Sequence, residues 1–176
     1  QPLDDAGTDK YLSDVQEIRT LSYDEHGNAL EQVVASYGKL REGTNEADTT
    51  SLLDCKVITT KAVDRWGNAL FSVTKKYLNA VLYPVDPVNR AITYTGFSNA
   101  QITIAGEVTD GSLPVGRYYD EQNNARILTI YEWFTDLEVG EYTLSMLDQG
   151  GEANGAGQKK VTYNTRYDES NRIKLS

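Results

Sequence analysis

The chain has 176 residues, a formal net charge of −9 and a pI of about 4.6. This acidity argues against binding to nucleic acid or to an anionic membrane surface, because such polyanions are held by basic stripes and the basic clusters are only Lys75-Lys76 and Lys159-Lys160. The length suits one domain whose core needs neither a metal nor a disulfide, and the absence of an apolar run of about 18 residues argues against insertion into a membrane.

The first ten residues are rich in Asp, Gly and Pro and are predicted to be a poorly ordered lead-in. They start at Gln1 without an initiator Met, which is typical of a protein whose export signal has been removed. We therefore expect an exported protein.

A turn of the form Asp-x-x-(Gly/Asn) then recurs four times, each time between two strand-like runs. The first Asp can accept a hydrogen bond from the backbone two residues on, and the fourth residue must adopt a positive φ, which Gly and Asn do at least cost. The pattern therefore predicts β-hairpins. The four copies are Asp24–Gly27, Asp64–Gly67, Asp120–Asn123 and Asp168–Asn171.

The first two copies belong to a longer repeat that covers residues 15–81. Nine residue types coincide between Ile18–Tyr37 and Ile58–Tyr77, on both sides of the turn. The repeated unit is therefore a whole hairpin. The third and fourth copies keep the turn and lose most of the flanking identities, so they are either diverged copies or independent hairpins with the same turn chemistry.

Residues 38–51 between these hairpins are polar and interrupted by Gly43, and they are predicted to be a long loop. Pro84 and Pro87 remove two backbone donors and mark a crossing to a second half, residues 91–176. Further strands are predicted there, and a glycine-rich loop is predicted at residues 149–158. The predicted strands cover residues 91–95, 101–108, 126–135, 140–146, 160–166 and 172–175.

About ten strands and no amphipathic helix predict a single all-β domain over residues 1–176. Many short antiparallel strands pack as two sheets or close on themselves, because a wide open sheet leaves one face and two edges unprotected. We predict a β-sandwich built from consecutive hairpins. An up-and-down barrel and a curved meander are the alternatives.

The sequence predicts no catalytic site, no metal site and no cofactor. His26, the single His, lies at a turn tip where solvent is its expected surrounding, so a serine-type triad is not predicted. Cys55 is the single Cys and is expected to be a small buried hydrophobic residue. The Asp residues of the four turns offer oxygen ligands to Ca²⁺, but each already has the role of turn initiator and no spacing matches an EF-hand loop.

Glu132 is the one carboxylate that the sequence marks for acid chemistry. Strand alternation places it with Ile130 and Phe134 on the face opposite Tyr131 and Trp133. A carboxyl group among apolar neighbours has a raised pKa and can act as a general acid; the alternative is an ordinary Glu at a sheet edge or with its carboxylate in solvent.

Aromatic residues are the stronger functional signal. Rings on a sheet face stack on sugar rings or fill protein interfaces, and Trp66 lies in a turn, where side chains normally project into water. We predict ligand binding by Trp66, Tyr131 and Trp133 if they are exposed. Tyr37 and Tyr77 are expected instead to be packing residues inside the sheet.

The Tyr-Asp-x-x-Gly-Asn turn, closest at Tyr23–Asn28, resembles the YD-type hairpin repeats of bacterial Rhs-like secreted proteins. The chain lacks the Gly-Arg-Leu ending of that family and spaces its turns irregularly. More broadly, it resembles small exported all-β proteins of Gram-negative bacteria. This resemblance implies a periplasmic or surface location.

Three functions follow as hypotheses. The first is a non-enzymatic binding or adhesion module for a cell-surface polymer, such as a glycan, or for a protein. The second is a small-molecule carrier with an apolar cavity inside a barrel. The third is a glycoside hydrolase that uses two carboxylates, with Glu132 as one of them. The oligomeric state is left open.

Overall fold

The computed structural model describes residues 15–82, 92–106, 118–134, 136 and, for the backbone alone, 156–163. Seven strands in this part of the chain form one antiparallel sheet in which the spatial order equals the chain order. A single turn of 3₁₀-helix, Thr49–Ser51, precedes the third strand. The strands are β1 Val15–Tyr23, β2 Ala29–Tyr37, β3 Leu52–Val63, β4 Ala69–Leu82, β5 Ile92–Ala105, β6 Ile127–Trp133 and β7 Ala156–Tyr163.

The all-β class and the construction from consecutive hairpins are confirmed. The described strands form one open meander, which is one of the predicted alternatives, and the second sheet of a sandwich is not seen among them. The segments on either side of the two prolines pair directly as β4 and β5. The two predicted halves therefore meet within one sheet.

The hairpin repeat is preserved in the strand register. In the first hairpin Thr20 pairs with Gln32 and the register then shifts before the turn. In the second hairpin Thr60 pairs with Ser72 and the register shifts at the same place. In both hairpins each strand therefore carries one extra residue close to the turn, as expected for strands that bulge next to an Asp-x-x-Gly turn.

The structure differs from the predicted elements at three places. The predicted break between residues 95 and 101 is absent, because Gly96 adopts a φ of +70° as an irregularity within continuous β5. The predicted loop at 38–51 contains a small hairpin, closed by a bridge between Leu40 and Ala47. The predicted loop at 149–158 ends earlier, since β7 begins at Ala156. The predicted strand 140–146, the fourth turn and the strand 172–175 lie outside the described residues.

One face of the sheet carries nearly all of the buried side chains. The alternation of buried and half-buried residues places every second residue of Phe71–Tyr77 in β4 and of Thr129–Trp133 in β6 on this face. Each large apolar side chain buried there contributes roughly 1.5–3 kcal/mol. The buried residues of β4, β5 and β6 that cluster together are Phe71, Val73, Ala100, Ile102, Ile104, Tyr131 and Trp133.

A straight row across this face runs through a buried lysine. The register places Lys75 between Val57 of β3 and Ala100 of β5, and Ala100 opposite Trp133 of β6. The Lys75 side chain is 8% exposed, and its Nζ lies 2.7 Å from Asp136 Oδ1. A charge this buried is costly without a partner, and the Asp136 carboxylate supplies one. The ion pair also links β4 to the residues that follow β6.

Candidate functional site at the turn row

Three of the four Asp-x-x-(Gly/Asn) turns are described, and all three have the same hydrogen bonds. In the first, Asp24 Oδ1 accepts from the backbone N–H groups of His26 and Asn28 at 2.9 and 2.8 Å. The other oxygen, Oδ2, accepts from the Asn28 side-chain amide at 2.8 Å. The second and third turns repeat all of these bonds within 0.2 Å. The Asp carboxylate therefore closes each turn on itself.

The fourth residue of each described turn has the predicted positive φ. The values are 85° for Gly27, 86° for Gly67 and 63° for Asn123. The backbone N–H of each of these residues donates to the carbonyl oxygen of the Asp that begins the turn. The predicted hairpin turn is thus confirmed three times, with Asn adopting the left-handed region where Gly is absent.

These bonds also act on the ionisation of the Asp residues. In Asp24 the side-chain hydrogen bond from Asn28 lowers the pKa of the carboxyl below its usual value. In Asp64 burial by itself raises the pKa, but the hydrogen bonds from Asn68, Trp66 and Gly67 outweigh it and lower the pKa overall. Both carboxyl groups are therefore ionised at neutral pH.

The three turns lie side by side at one end of the sheet and contact one another. A methyl group in place of the Gly67 hydrogen would lie 2.5 Å from Asn28 Oδ1 of the first turn. The Asn68 amide of the second turn donates to Asn123 Oδ1 of the third at 3.3 Å. We call this continuous surface, formed by Asp24–Asn28, Asp64–Asn68 and Asp120–Asn124, the turn row.

A tyrosine strengthens the contact between the second and third turns. Tyr119 immediately precedes Asp120, and its hydroxyl donates to the carbonyl oxygen of Ala69, the first residue after the second turn, at 2.5 Å. Burial raises the pKa of Tyr119, with a further contribution from the nearby Asp64 charge. The hydroxyl therefore stays protonated and can continue to donate.

The exposed tips of the turn row have different chemistry in each turn. The two residues after each Asp are Glu25-His26, Arg65-Trp66 and Glu121-Gln122, and all of them are exposed. Trp66 is 52% exposed, and the Arg65 guanidinium carbon lies 3.9 Å from the centroid of its ring. A cation over an aromatic face is favourable, so Arg65 stabilises the position of the indole ring.

Two of the predicted ligand-binding aromatics are not exposed. Tyr131 is 2% exposed and Trp133 is 0% exposed, and their ring centroids lie 6.0 Å apart within the buried cluster. Alternation correctly places both on one face of β6, but that face is the packed one. The expected aromatic platform therefore reduces to Trp66. Tyr37 and Tyr77 are buried, as expected.

Glu132 lies on the opposite face among polar residues rather than in an apolar pocket. It accepts hydrogen bonds from the Asn99 side-chain amide and, at 3.4 Å, from Gln101 Nε2. The residues directly across from it in the neighbouring strands are Gln101 and Gln158, which supply no second carboxylate. Among the described residues, the apolar pocket and the second carboxylate expected around a hydrolytic acid are therefore not found next to Glu132.

The remaining chemical candidates have structural surroundings. Cys55 is fully buried, and this burial raises its pKa to about 11, so the thiol is protonated and unreactive at neutral pH. The His26 side chain is 75% exposed, in agreement with a solvated turn tip. Within the described residues, no group of three or more His, Cys, Asp or Glu side chains is arranged to hold a metal ion.

A concavity of about 840 Å³ lies beside the small hairpin between β2 and β3. Three of its charged residues form ion pairs, since Lys39 pairs with Asp48 at 3.1 Å and Arg41 pairs with the nearby Glu46 at 2.9 Å. Hydrogen bonds from Thr50 and the Lys39 ammonium lower the pKa of Asp48 to about 2. These contacts stabilise the loop, and the concavity lacks the apolar lining of a small-molecule site.

The sequence analysis assigned no role to the Asn at the fifth position of the turns. The Asn at the fifth position binds its own Asp and also contacts the next turn, as Asn28 and Asn68 show. Its recurrence at Asn124 was the available signal, and the fourth turn differs by having Arg172 at this position. The contact between turns joins residues far apart in the sequence, so no local pattern indicates it.

The chain matches no protein-family model, no curated protein and no solved structure. In the part of the chain that the structure describes, no helix is long and apolar enough to cross a membrane.

Proposed function

We propose that the protein is a non-enzymatic binding module, exported to the periplasm or cell surface, whose turn row recognises a neutral glycan polymer. The observation that carries this proposal is the half-exposed Trp66 ring on a turn that Asp64 fixes by three hydrogen bonds. A turn whose backbone is already fixed loses little conformational entropy on binding, and an indole face suits the apolar face of a sugar ring.

The neighbouring tips supply the polar part of such a site. Glu25 and His26 lie on one side of Trp66, and Glu121 and Gln122 lie on the other, all exposed. Carboxylate, imidazole and amide groups donate to and accept from sugar hydroxyls. The net charge of −9 disfavours an acidic polysaccharide by repulsion, which is why a neutral polymer is proposed.

A glycan array probed with the wild-type protein and with Trp66→Ala tests the proposal. Loss of a central aromatic contact costs about 2 kcal/mol, so binding should weaken roughly 30-fold. Trp66→Phe keeps an aromatic face and should recover part of the affinity. Leu53→Ala, which changes a residue that is 57% exposed near the other end of β3, is the matched surface control.

Equal binding by the wild-type protein and Trp66→Ala would contradict the assignment of Trp66. A wild-type protein that binds no neutral glycan on the array, but captures a protein partner in a Trp66-dependent manner, would replace the glycan by a protein ligand.

A further inference from the structure

The three described turns are joined to one another by direct contacts. Asn28 of the first turn lies against Gly67 of the second, and the Asn68 amide of the second turn donates to Asn123 of the third. The Tyr119 hydroxyl adds another bond between the last two turns. Because each turn is also closed by its own Asp, the turn row presents its tips as one preorganised surface.

The distance between the first two tips follows from the order of the strands. The first turn joins β1 to β2 and the second joins β3 to β4, so equivalent points of these turns are separated by two strand positions. Neighbouring strands lie about 4.8 Å apart, which makes this separation about 10 Å. A ligand that lies across the strand ends therefore meets these two tips at that interval.

The middle tip is aromatic, and the tips on either side of it are polar. Trp66 is 52% exposed in the second turn, and His26 and Gln122 are exposed in the first and third turns. A chain of sugars offers a matching pattern at regular intervals, since each ring has an apolar C–H face and a rim of hydroxyl groups. When one ring stacks on Trp66, the rings on either side can bond with His26 and Gln122.

The linkage between sugars determines which chains can follow the turn row. In an extended β-1,4-linked chain alternate rings are turned over, so every second ring presents the same face. The length of that repeat, one disaccharide, is close to about two strand spacings. An α-1,4-linked chain curls into a helix and does not keep its rings on a straight line. The spacing of the tips thus suits the β-1,4-linked chain.

We propose that the turn row binds an extended, neutral β-1,4-linked glycan that lies across the strand ends. One ring stacks on Trp66, and further rings lie over the first and third turns, where they bond with His26 and Gln122. This use of the turn row rests on the proposed function, because it includes the same Trp66 contact. It adds the linkage of the glycan, its direction across the sheet and two residues that recognise its length.

Calorimetric titration of the full chain with soluble β-1,4-linked oligomers of two, four and six units tests this assignment, in one series of glucose and one of N-acetylglucosamine. A flanking tip that makes one hydrogen bond should raise the affinity about 3- to 10-fold. With two such tips, the six-unit oligomer of the series that binds should bind about 10- to 100-fold more tightly than the two-unit oligomer. The six-unit α-1,4-linked glucose oligomer is the matched control and should gain no such affinity.

His26→Ala and Gln122→Ala should each weaken binding of the six-unit β-1,4-linked oligomer about 3- to 10-fold and leave binding of the two-unit oligomer unchanged. The bonds that close the turns use only the backbone N–H groups of these two residues, so neither variant should change the free energy of unfolding. Trp66→Ala should weaken binding of both oligomers, and Leu53→Ala should weaken neither.

The outcomes separate this assignment from glycan binding as such. Trp66-dependent binding that does not strengthen with oligomer length, or that is equally tight for the α-1,4-linked oligomer, would overturn the extended β-1,4-linked chain and leave glycan binding in place. Full affinity for the six-unit oligomer in both His26→Ala and Gln122→Ala, or binding only to array glycans of other linkages, would do the same. Binding to no neutral glycan at all would overturn both proposals.

Discussion

Removal of the Asp64 carboxylate should destabilise the second hairpin by an amount that can be counted from its bonds. Asp64→Ala eliminates the acceptor for the backbone N–H groups of Trp66 and Asn68 and for the Asn68 amide. The turn is partly exposed, so the freed donors regain water and each bond contributes about 0.5–1 kcal/mol. The free energy of unfolding should therefore fall by about 1.5–3 kcal/mol, measured by urea denaturation with an unchanged m-value.

Asp64→Asn provides the sharper comparison. It retains Oδ1 for the two backbone N–H groups but replaces the acceptor of the Asn68 amide by a donor, so the expected cost is about 0.5–1 kcal/mol. Asn68→Ala should show strong non-additivity with Asp64→Ala, because both remove the same side-chain bond. Glu121→Ala, at an exposed tip, is the control. Equal costs for Asp64→Asn and Asp64→Ala, or a cost for Asp64→Ala no larger than that of Glu121→Ala, would refute this account of the turn.

Three further predictions concern stability. Gly67→Ala and Gly27→Ala both place an Ala in the left-handed region, which costs about 1–2 kcal/mol, but only the Ala at position 67 would also meet a neighbouring turn. Urea denaturation should therefore show the larger loss of unfolding free energy for Gly67→Ala. Equal losses would argue against contact between the turns. Trp133→Ala should lower the free energy of unfolding by about 3–5 kcal/mol, as expected for a core Trp, whereas Trp66→Ala should change it by less than about 0.5 kcal/mol. Asp48 has a folded-state pKa of about 2, below its unfolded value, so its contribution is complete above about pH 4 and is lost as the pH falls toward 2. Urea midpoints between these pH values should therefore fall less for Asp48→Asn than for the wild-type protein.

The sequence was most informative where structure depends on near neighbours. The Asp, its backbone donors and the positive φ all lie within five residues, so the turns at Asp24, Asp64 and Asp120 were predictable from residue types. Alternation likewise placed Tyr131 and Trp133 on one face of β6. It could not say which face of the sheet would be packed, because that depends on the rest of the chain. Tyr131 and Trp133 were therefore predicted to bind a ligand, whereas the structure places them in the core.

Gly96 illustrates another limit of sequence interpretation. A glycine between two short apolar runs favours a break, yet β5 continues through it with a positive φ and keeps its pairing with β4. The small hairpin in residues 38–51 was missed for the opposite reason. Its bridge joins only Leu40 and Ala47, and no alternating run marks so short a pairing. In both places backbone pairing between strands outweighs the conformational preference of the local residues.

The order of the strands has a consequence for how the chain acquires its structure. Every hydrogen-bonded strand pairing described joins a strand to the one immediately before or after it in the sequence. Each step of folding therefore joins segments that are neighbours along the chain, and the entropic cost of loop closure stays low compared with that of a Greek-key arrangement. We expect the sheet to grow outward from whichever hairpin forms first, so that rapid folding accompanies an architecture that is entirely β.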